Sequence, residues 1–460
     1  MVPLSQRSEA EGAAAPCLRS KMGAKRRKHK KKGYLPMRLG LTEILLLAII
    51  ALLAFGPGVS RWMDRWSRRA NVSRAEQARR RAAWEAERRA RRELILRRFR
   101  IAGWGFMAAL ALALVYTLGF RPIEAAPQSY TLPAAAAQTA ARTVTGTSAL
   151  SLEGYLPPDC MAVQDGWLYL AARPEEGAGS ALLRMREDGS GLDLVFAEER
   201  PITAFAFDGA GDIWYTVLTE TGGALCRATH DEWGASTQQV VTQMDGRPLG
   251  CLTAVAAGAD GIYFAEAAGF SLGTVEDTLR AELMGHTATG WVYVYDPAGR
   301  SVQRVLGGLA GASGLALSPE GDTLYAADLG SRCIWAVDSA ARELMAGGKG
   351  CALFAGQLPG YPGALAAGAD GTVYAAYRWA EASWLESRAA QPGLRGVAAR
   401  LPRSLQRGLF GSGEPLAQGY APDGQLEEDY AGAAAGRALA VSGNRLYLPG
   451  DGENVVYFVF

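Results

Sequence analysis

Short runs of apolar residues separated by turns fill the chain from about residue 150 to residue 460. The stretch Trp291–Asp338 holds one complete unit of this pattern. In Trp291–Tyr295 aromatic and β-branched residues alternate with period two, and turn residues such as Gly299 follow. Small residues at Gly314–Leu317 and apolar residues at Leu324–Ala327 continue the unit. The pattern predicts short strands joined by tight turns.

The aromatic strand of this unit occurs six times, and each copy follows a glycine that is usually paired with Asp or Asn. The copies are Trp167–Leu170, Ile213–Tyr215, Ile262–Phe264, Leu324–Ala326, Val373–Ala375 and Leu446–Leu448. Their aligned aromatic residues are 45, 49, 62, 49 and 73 residues apart, in the range of a four-stranded propeller blade with insertions. The sequence therefore predicts an all-β fold over residues 149–460, a six-bladed β-propeller with small-residue strands around the channel and aromatic strands between blades.

The ends of the repeat region predict how the ring closes. The apolar strand Val455–Phe460 needs a partner, and closure hides strand edges. We therefore expect residues near Ala149–Leu152 to supply the outer strand of the last blade. The two long spacings contain insertions at Ala267–Thr289 and Arg378–Tyr420, and the second is partly helical. Such insertions cluster over one mouth of the channel, where they shape a binding site or cover apolar surface.

Charge divides the chain. Residues 1–120 carry 26 Lys and Arg against 8 Asp and Glu, whereas residues 121–460 carry 22 against 38. We expect a basic disordered tail over residues 1–37 and an Arg-rich charged helix over residues 60–100, both in contact with anionic lipid and neither with nucleic acid. Residues 121–148 are rich in Ala, Pro and Thr and predict a linker.

Two apolar segments flank the charged helix. Residues 101–120 form an uninterrupted apolar stretch and predict a transmembrane helix, and residues 38–59 predict a first membrane segment with a shorter apolar core. Fifteen Arg lie within residues 61–100, and only Arg121 and Arg142 lie between residues 121 and 150, so the positive-inside rule places the propeller on the extracytoplasmic side. A first segment that also spans would put the basic tail outside, against the same rule. Insertion with the N-terminus out and a re-entrant or surface-lying first segment both stay open.

Residues 39–58 place Glu43 near the start of the apolar run and Phe55-Gly56-Pro57 at its end. In both features the run resembles the short membrane helix of twin-arginine translocase subunits of the A type. The resemblance raises the possibility of a translocase-associated factor that acts through residues 39–100. An ordinary membrane helix is the alternative.

Four stretches of the propeller region carry a second resemblance: Ile262–Glu266, Thr289–Pro297, Ser313–Pro319 and Leu358–Gly363. The region of roughly residues 150–460 resembles the strictosidine synthase-like family in these four stretches and in the position of its two insertions. That family includes the adipocyte membrane-associated proteins and belongs with gluconolactonases and regucalcin among six-bladed, calcium-binding propellers. The resemblance implies the propeller fold and, as one activity, calcium-dependent hydrolysis of lactones or esters.

The resemblance also implies positions for a calcium ion in the channel. Carried onto this sequence, these positions fall at Asp159, Cys251, Ser313 and Gly363. Only Asp159 offers a charged oxygen, whereas calcium takes about six to eight oxygen ligands. We therefore expect a degenerate metal site. The glutamate of strictosidine-forming members falls near Arg437, which argues against strictosidine synthase activity.

Residues for other chemistry are scarce. The chain has three His, and a Ser-His-Asp triad in the propeller would need His230 or His286. His286 lies alone in the first insertion and is expected at the surface. Five of the six Cys lie in the propeller region, and no Cys-x-x-Cys occurs. An odd number of cysteines outside the membrane leaves at least one free thiol or an intermolecular bond.

We therefore expect a membrane-anchored extracytoplasmic propeller that binds a small molecule or a protein at its mouth. The alternative is a calcium-dependent lactonase or esterase with a rearranged metal site, so enzymatic activity stays open. The channel candidates for ligand binding are Asp159, Cys251, Glu266, Ser313, Tyr361 and Arg437.

Overall fold

A computed structural model describes residues 74–119, 126–136, 138–145, 148–231, 234–410, 417–431, 436–450 and 454–459. The basic tail expected at residues 1–37 and the first membrane segment expected at residues 38–59 lie outside the described residues. The translocase-like stretch 39–58 lies outside them as well.

A long helix, α1, spans Arg74–Gly119. In its first part, Arg91 Nη2 lies 2.8 Å from Glu87 Oε1, an ion pair of the i,i+4 kind that supports an exposed helix. Within the described residues this is the helix that is long and apolar enough to cross a membrane, between Ala78 and Val115, by length and composition. Its apolar side chains are exposed, among them Trp104 at 75%. The described part of the expected Arg-rich helix, residues 74–100, and the apolar segment are therefore parts of one continuous helix, and residues 60–73 lie outside the described residues.

Two short strands, β1 (Arg142–Val144) and β2 (Ser148–Ser151), come before the first blade. Each of the first three blades then has four antiparallel strands in chain order. Blade 1 contains β3 to β6, at Cys160–Gln164, Trp167–Ala172, Ser180–Arg186 and Asp193–Glu198. Blade 2 contains β7 to β10, at Ile202–Phe207, Ile213–Thr219, Gly222–Asp231 and Gly234–Val241. After a hairpin of β11 (Gln243–Met244) and β12 (Arg247–Pro248), blade 3 contains β13 to β16, at Cys251–Gly258, Gly261–Ala268, Gly290–Asp296 and Ser301–Leu309.

The remaining blades complete the ring. Blade 4 contains β17, β18, β19 and β21, at Ala312–Leu317, Thr323–Asp328, Cys333–Asp338 and Cys351–Ala355. The short strand β20 (Leu344–Met345) lies instead on the edge of blade 3. Blade 5 contains β22 to β25, at Gly360–Ala367, Val373–Ala380, Ala417–Tyr420 and Leu426–Tyr430. Blade 6 contains β26 to β28, at Ala440–Ser442, Arg445–Pro449 and Asn454–Val459. The strand β1 joins blade 5 by parallel pairing with β25. The predicted fold, a six-bladed propeller of four-stranded blades, is confirmed.

The ring closes through β2. This strand pairs antiparallel with β28 and is the outer strand of blade 6, with Ala149 opposite Val456 and Leu150 opposite Val455. The first strands of the six blades, β3, β7, β13, β17, β22 and β26, each pack against the next and so surround the channel. The predicted closure by residues near Ala149–Leu152 is confirmed, because the last strand of the chain would otherwise leave an open edge.

The core of the propeller contains six apolar clusters, each lying between two neighbouring blades. Between blades 3 and 4, for example, Tyr263 and Val292 pack with Leu324. Between blades 6 and 1, Tyr447 packs with Leu168. The predicted placement of the aromatic strands between blades is therefore confirmed.

A tight turn with glycine in left-handed backbone comes before each aromatic strand. Gly321 (φ 78°) and Gly371 (φ 85°) illustrate the geometry, which a side chain with a Cβ atom rarely adopts. The same region of φ is occupied by Gly166, Gly211, Gly261 and Gly443. These turns fix where each second strand begins.

The two insertions form a helical layer. The first contains α2 (Val275–Gly285), and the second contains α3 (Ser383–Glu386), α4 (Pro392–Ala399) and α5 (Arg403–Arg407). Leu283 of α2, Leu385 of α3 and Ala398 of α4 share one apolar cluster with Tyr361 of β22. The helices therefore pack on one another and on the propeller.

Residues 126–145 lie along the propeller. Gln128 N donates to Gly285 O at 2.8 Å, at the end of α2, and Tyr130 N donates to Ala389 O at 3.3 Å. Further along, Gln138 Nε2 donates to Gly424 O at 3.1 Å. The described part of the expected linker is thus hydrogen-bonded to the helical layer and to blade 5.

Candidate functional site

A cavity of about 450 Å³ lies at one mouth of the channel. Its position follows from the strands that border it, since Asp159 comes directly before β3, Ile202 begins β7, and Thr253 lies near the start of β13. The lining residues are Asp159, Arg173, Pro201, Ile202, Thr203, Leu218, Thr253, Gly273, Thr274, Val275, Glu276, Asp277, Arg280, Arg378, Arg403 and Arg437. Both insertions contribute, so their predicted place over one mouth of the channel is confirmed.

Arginine dominates the charge of this cavity, with five arginines against three carboxylates. Two of the arginines hold Asp159: Arg173 Nε lies 3.3 Å from Oδ2, and Arg437 Nε lies 3.4 Å from Oδ1. Arg437 is itself fixed by donating to Pro157 O at 3.0 Å and to Pro158 O at 3.3 Å. Both oxygens of Asp159 therefore face guanidinium groups.

The insertions supply the other charges. In α2, Glu276 Oε1 accepts from Arg280 Nη2 at 2.7 Å, and Asp277 pairs with Arg403 from α5. The same two carboxylates stand at the N-terminus of α2, where Thr274 caps Asp277 N at 3.1 Å, so they also stabilise the helix end. Glu276 and Asp277 can therefore line the cavity and stabilise the start of α2 at the same time.

Arg378 is the arginine with the least complete set of partners. It lies near the end of β23, its side chain is 15% exposed, and Nη1 lies 3.5 Å from Glu276 Oε2. Its buried Nε has no hydrogen-bond partner within the described residues. Burial lowers the pKa of Arg378, which means that the cavity holds a cation that is poorly solvated. An unsatisfied buried N–H donor favours a ligand that can accept a hydrogen bond.

Among the residues predicted from the sequence, Asp159 and Arg437 line the cavity, whereas Glu266 does not. Glu266 is fully buried on β14 and accepts hydrogen bonds from Arg247 at 2.7 and 2.8 Å, from Tyr293 Oη at 2.8 Å and from Gly250 N at 2.5 Å. All of these partners lie in or beside blade 3. The carboxylate is used to hold that blade together.

Cys251, Ser313 and Tyr361 are also buried outside the cavity lining. Ser313 Oγ donates to Pro362 O at 2.7 Å and thereby joins blades 4 and 5. Tyr361 Oη donates to Glu386 Oε1 at 2.8 Å beneath the helical layer. Burial raises the pKa of the Cys251 thiol to about 12, so at neutral pH it stays protonated.

Calcium does not fit the donors at these positions. Asp159 is engaged by two guanidinium groups, Cys251 is a protonated thiol, and the Ser313 hydroxyl donates to a carbonyl. At Gly363 a Cβ atom would lie 2.2 Å from Gly436 O, so that position has no room for a liganding side chain. Over the part of the chain that the structure describes, no three His, Cys, Asp or Glu side chains group as metal ligands. Hard oxygen donors for calcium are therefore lacking here.

His286 is buried, and the expectation of a surface position is wrong. Its ring stacks on Tyr130 with centroids 3.7 Å apart, and its backbone ends α2 in left-handed geometry. Burial, together with the charge of Arg395, lowers the pKa of His286 to about 3. The side chain of His230 lies outside the described side chains. At neutral pH the ring of His286 is therefore uncharged, and it packs against Tyr130 in the segment 126–136.

The five cysteines of the propeller region are free thiols. Burial raises the pKa of Cys160 to about 12, as it does for Cys251, so neither is an activated nucleophile. These five cysteines form no disulfide with one another, so the prediction of a free thiol or an intermolecular bond stays a prediction, and Cys17 lies outside the described residues.

Reasoning from sequence missed Arg173, Glu276, Asp277, Arg280, Arg378 and Arg403. One local signal was available, because Thr274 and Asp277 have the spacing of a helix N-cap and so mark where α2 begins within the first insertion. The pairing of Asp277 with Arg403 joins residues 126 positions apart, and no local pattern encodes it.

Residues 265–384 match a family model described as the SMP-30/gluconolactonase/LRE-like region. No curated protein sequence matches the chain. Similar solved structures include a gluconolactonase from Xanthomonas campestris, at 18% identity over 74% of this chain and 96% of that chain, with a TM-score of 0.46. A calcium-binding regucalcin from Agrobacterium tumefaciens is 14% identical over 70% of this chain and 95% of that chain, with a TM-score of 0.46. An inactive virginiamycin B lyase from Staphylococcus aureus is 11% identical over 68% of this chain and 99% of that chain, with a TM-score of 0.42.

Proposed function

We propose that this six-bladed propeller, in which residues 265–384 match the SMP-30/gluconolactonase/LRE-like model, binds an anionic small molecule in its arginine-lined cavity. One observation carries the proposal. Five arginines and three carboxylates line the cavity, and the buried Nε of Arg378 has no hydrogen-bond partner within the described residues.

The chemistry of the lining supports a carboxylate or phosphate ligand. A guanidinium group presents its N–H donors in a planar fork that matches the oxygens of either group. The volume, about 450 Å³, falls in the range of small-molecule pockets, which is about 300–1,000 Å³. Lining residues such as Ile202 and Val275 add apolar surface for the body of the ligand.

Anchoring in a membrane is the second part of the proposal. The apolar stretch of α1 between Ala78 and Val115 supports a membrane anchor, and the fifteen Arg of residues 61–100 support a cytoplasmic location for its N-terminal side. The propeller then lies on the extracytoplasmic side. Contact of these Arg with anionic lipid belongs to the same proposal.

Thermal melting of the full-length chain in detergent micelles, with a panel of ligands, tests the proposal. The panel contains inorganic phosphate, citrate, succinate, gluconate and calcium chloride, all at the same ionic strength. We expect at least one of the anions to raise Tm, because a ligand that binds only the folded state stabilises it, and we expect calcium to leave Tm unchanged.

The alternative, a calcium-dependent lactonase or esterase, predicts a different result in the same experiment. It predicts stabilisation by micromolar calcium together with turnover of lactone or aryl ester substrates. The match of residues 265–384 to the family model favours testing it. Calcium stabilisation with turnover would replace the anion-binding proposal.

A further inference from the structure

In the helix α4 a charged residue is buried and two apolar residues are exposed, which is the reverse of the usual arrangement. Arg395 is completely buried, while Leu394 and Val397 are 52% and 51% exposed. The guanidinium of Arg395 donates to Met284 O at 2.8 Å, to Arg388 O at 3.2 Å and to Gln128 O. These carbonyl partners account for the buried charge. Leu394 and Val397 thus form an exposed apolar face of α4 in the part of the chain that the structure describes.

The next helix also has an exposed apolar residue. Leu405 of α5 is 59% exposed, and Gln406 Nε2 ties α5 to α4 by donating to Ala399 O at 2.8 Å. We name Leu394, Val397 and Leu405 the insertion face. Apolar side chains that project from neighbouring helices of one layer are typical of a surface that is covered in use.

The charge around the insertion face is opposite to that of the domain that carries it. Residues 378–410 contain six Arg and two Glu, although residues 121–460 as a whole contain 22 basic and 38 acidic residues. Arg395 is buried, and Arg378 and Arg403 line the cavity, so Arg388 and Arg400 are the described arginine side chains of this segment that are neither buried nor part of the cavity lining. Arg400 lies within this segment, where its Nη1 donates to Gly396 O at 2.9 Å on the last turns of α4. Arginine beside exposed leucine and valine favours a surface that is both apolar and anionic.

The chain itself limits how far the insertion face can lie from the end of α1. The helix α1 ends at Gly119, and Gln128 is hydrogen-bonded to the helical layer through Gly285 O and Arg395. The intervening chain reaches about 30 Å when fully extended, at roughly 3.3–3.6 Å per residue. A membrane that contains α1 is therefore within reach of this layer.

We infer that the insertion face docks on the surface of an anionic bilayer, with its leucine and valine side chains at the headgroup boundary and its arginines against lipid phosphates. This inference rests on the proposed anchoring of α1. Docking would hold the mouth of the cavity beside the membrane, because Arg403 belongs both to this layer and to the cavity lining.

Hydrogen–deuterium exchange of the full-length chain in lipid nanodiscs tests the inference. One set of discs is zwitterionic, and the other contains about one third phosphatidylglycerol. In the anionic discs we expect exchange over residues 392–407 to slow by at least about fivefold, the effect of engaging one arginine with an anionic surface. The triple variant Leu394→Ser, Val397→Ser, Arg400→Gln should lose this protection.

The matched control is Leu194→Ser, at a leucine of β6 that is 57% exposed in blade 1, and it should keep the protection. Equal exchange in both kinds of disc would overturn the inference. Protection that also occurs in detergent and disappears on dilution would overturn it as well, because a second copy of the chain would then cover the face. Extraction of the chain from membranes by alkaline carbonate would show instead that the anchoring proposal fails.

Discussion

His286 shows at the scale of one residue how burial changes an ionisable group. It ends α2 with a φ of 47°, stacks on Tyr130, and lies close enough to Arg395 for that charge to oppose its protonation. Its neutral ring supports the contact between the helical layer and residues 126–136. The pKa of about 3 in the folded protein, against 6.5 in an unfolded chain, links this contact to pH.

Acidification should therefore destabilise the wild-type chain more than a His286→Asn variant, in which Asn tolerates the left-handed backbone. Between pH 6.5 and about 3 the unfolded chain binds a proton that the folded chain does not, so stability falls as pH falls, by at most about 1.4 kcal/mol per pH unit. Glu282, whose pKa burial raises to about 7, gives the opposite slope in both proteins and cancels in their difference. Urea unfolding from pH 7 to pH 4 measures this difference, and parallel curves would contradict the assignment.

At the scale of elements, β2 decides whether the propeller is a closed ring. It comes from the start of the domain and pairs with β28 from the end, and Leu150 packs in the cluster between blades 6 and 1. Without β2, the edge of blade 6 and part of this cluster are exposed to water.

Deletion of residues 143–153 should therefore abolish the cooperative thermal transition of the propeller. Leu150→Asp, which places a charge at a position that is 6% exposed, should lower Tm strongly, whereas Ser148→Asp at the exposed start of β2 should change it little. Near-ultraviolet circular dichroism and calorimetry measure these effects. A deleted chain that melts cooperatively at the wild-type Tm would show that the ring does not depend on this strand.

The sequence predicted those elements that are encoded locally. The six aromatic strands and the turn glycines such as Gly321 follow from short patterns, and the edge left by the last strand predicted its partner. The roles of individual side chains were harder to predict from the sequence. Glu266 was a candidate for the channel, but its partner Arg247 lies in the β11–β12 hairpin, and only the folded blade brings the two together.

The cavity depends on the same kind of long-range contact. Arg378 and Arg403 come from the second insertion, and their acidic partners come from the first. Sequence placed both insertions over one mouth of the channel but could not orient their helices, because the helices are fixed by packing against Tyr361 and against one another. Asp159 and Arg437 were candidates because the family resemblance carried a calcium position and a glutamate position onto them. Asp159 directly precedes β3, and Arg437 comes three residues before β26.

The whole molecule combines a helix that is long and apolar enough to cross a membrane, an acidic propeller and an arginine-lined cavity. Residues 121–460 carry a net excess of acidic residues, yet the cavity has more arginines than carboxylates. The local lining, and not the charge of the domain, is therefore what would attract the proposed anion. Anion binding by this cavity is the central claim.

Calorimetric titration of the full-length chain tests that claim most directly, with the anion that raises Tm most as the ligand and ionic strength held constant. The variants are Arg378→Gln, which removes the buried guanidinium, and Arg184→Gln, whose arginine is 42% exposed on blade 1 outside the cavity. Loss of a charge-assisted hydrogen bond should weaken binding to Arg378→Gln by at least about tenfold, and Arg184→Gln should bind like the wild type. Equal affinity in all three proteins, or binding of calcium without binding of any anion, would contradict the account.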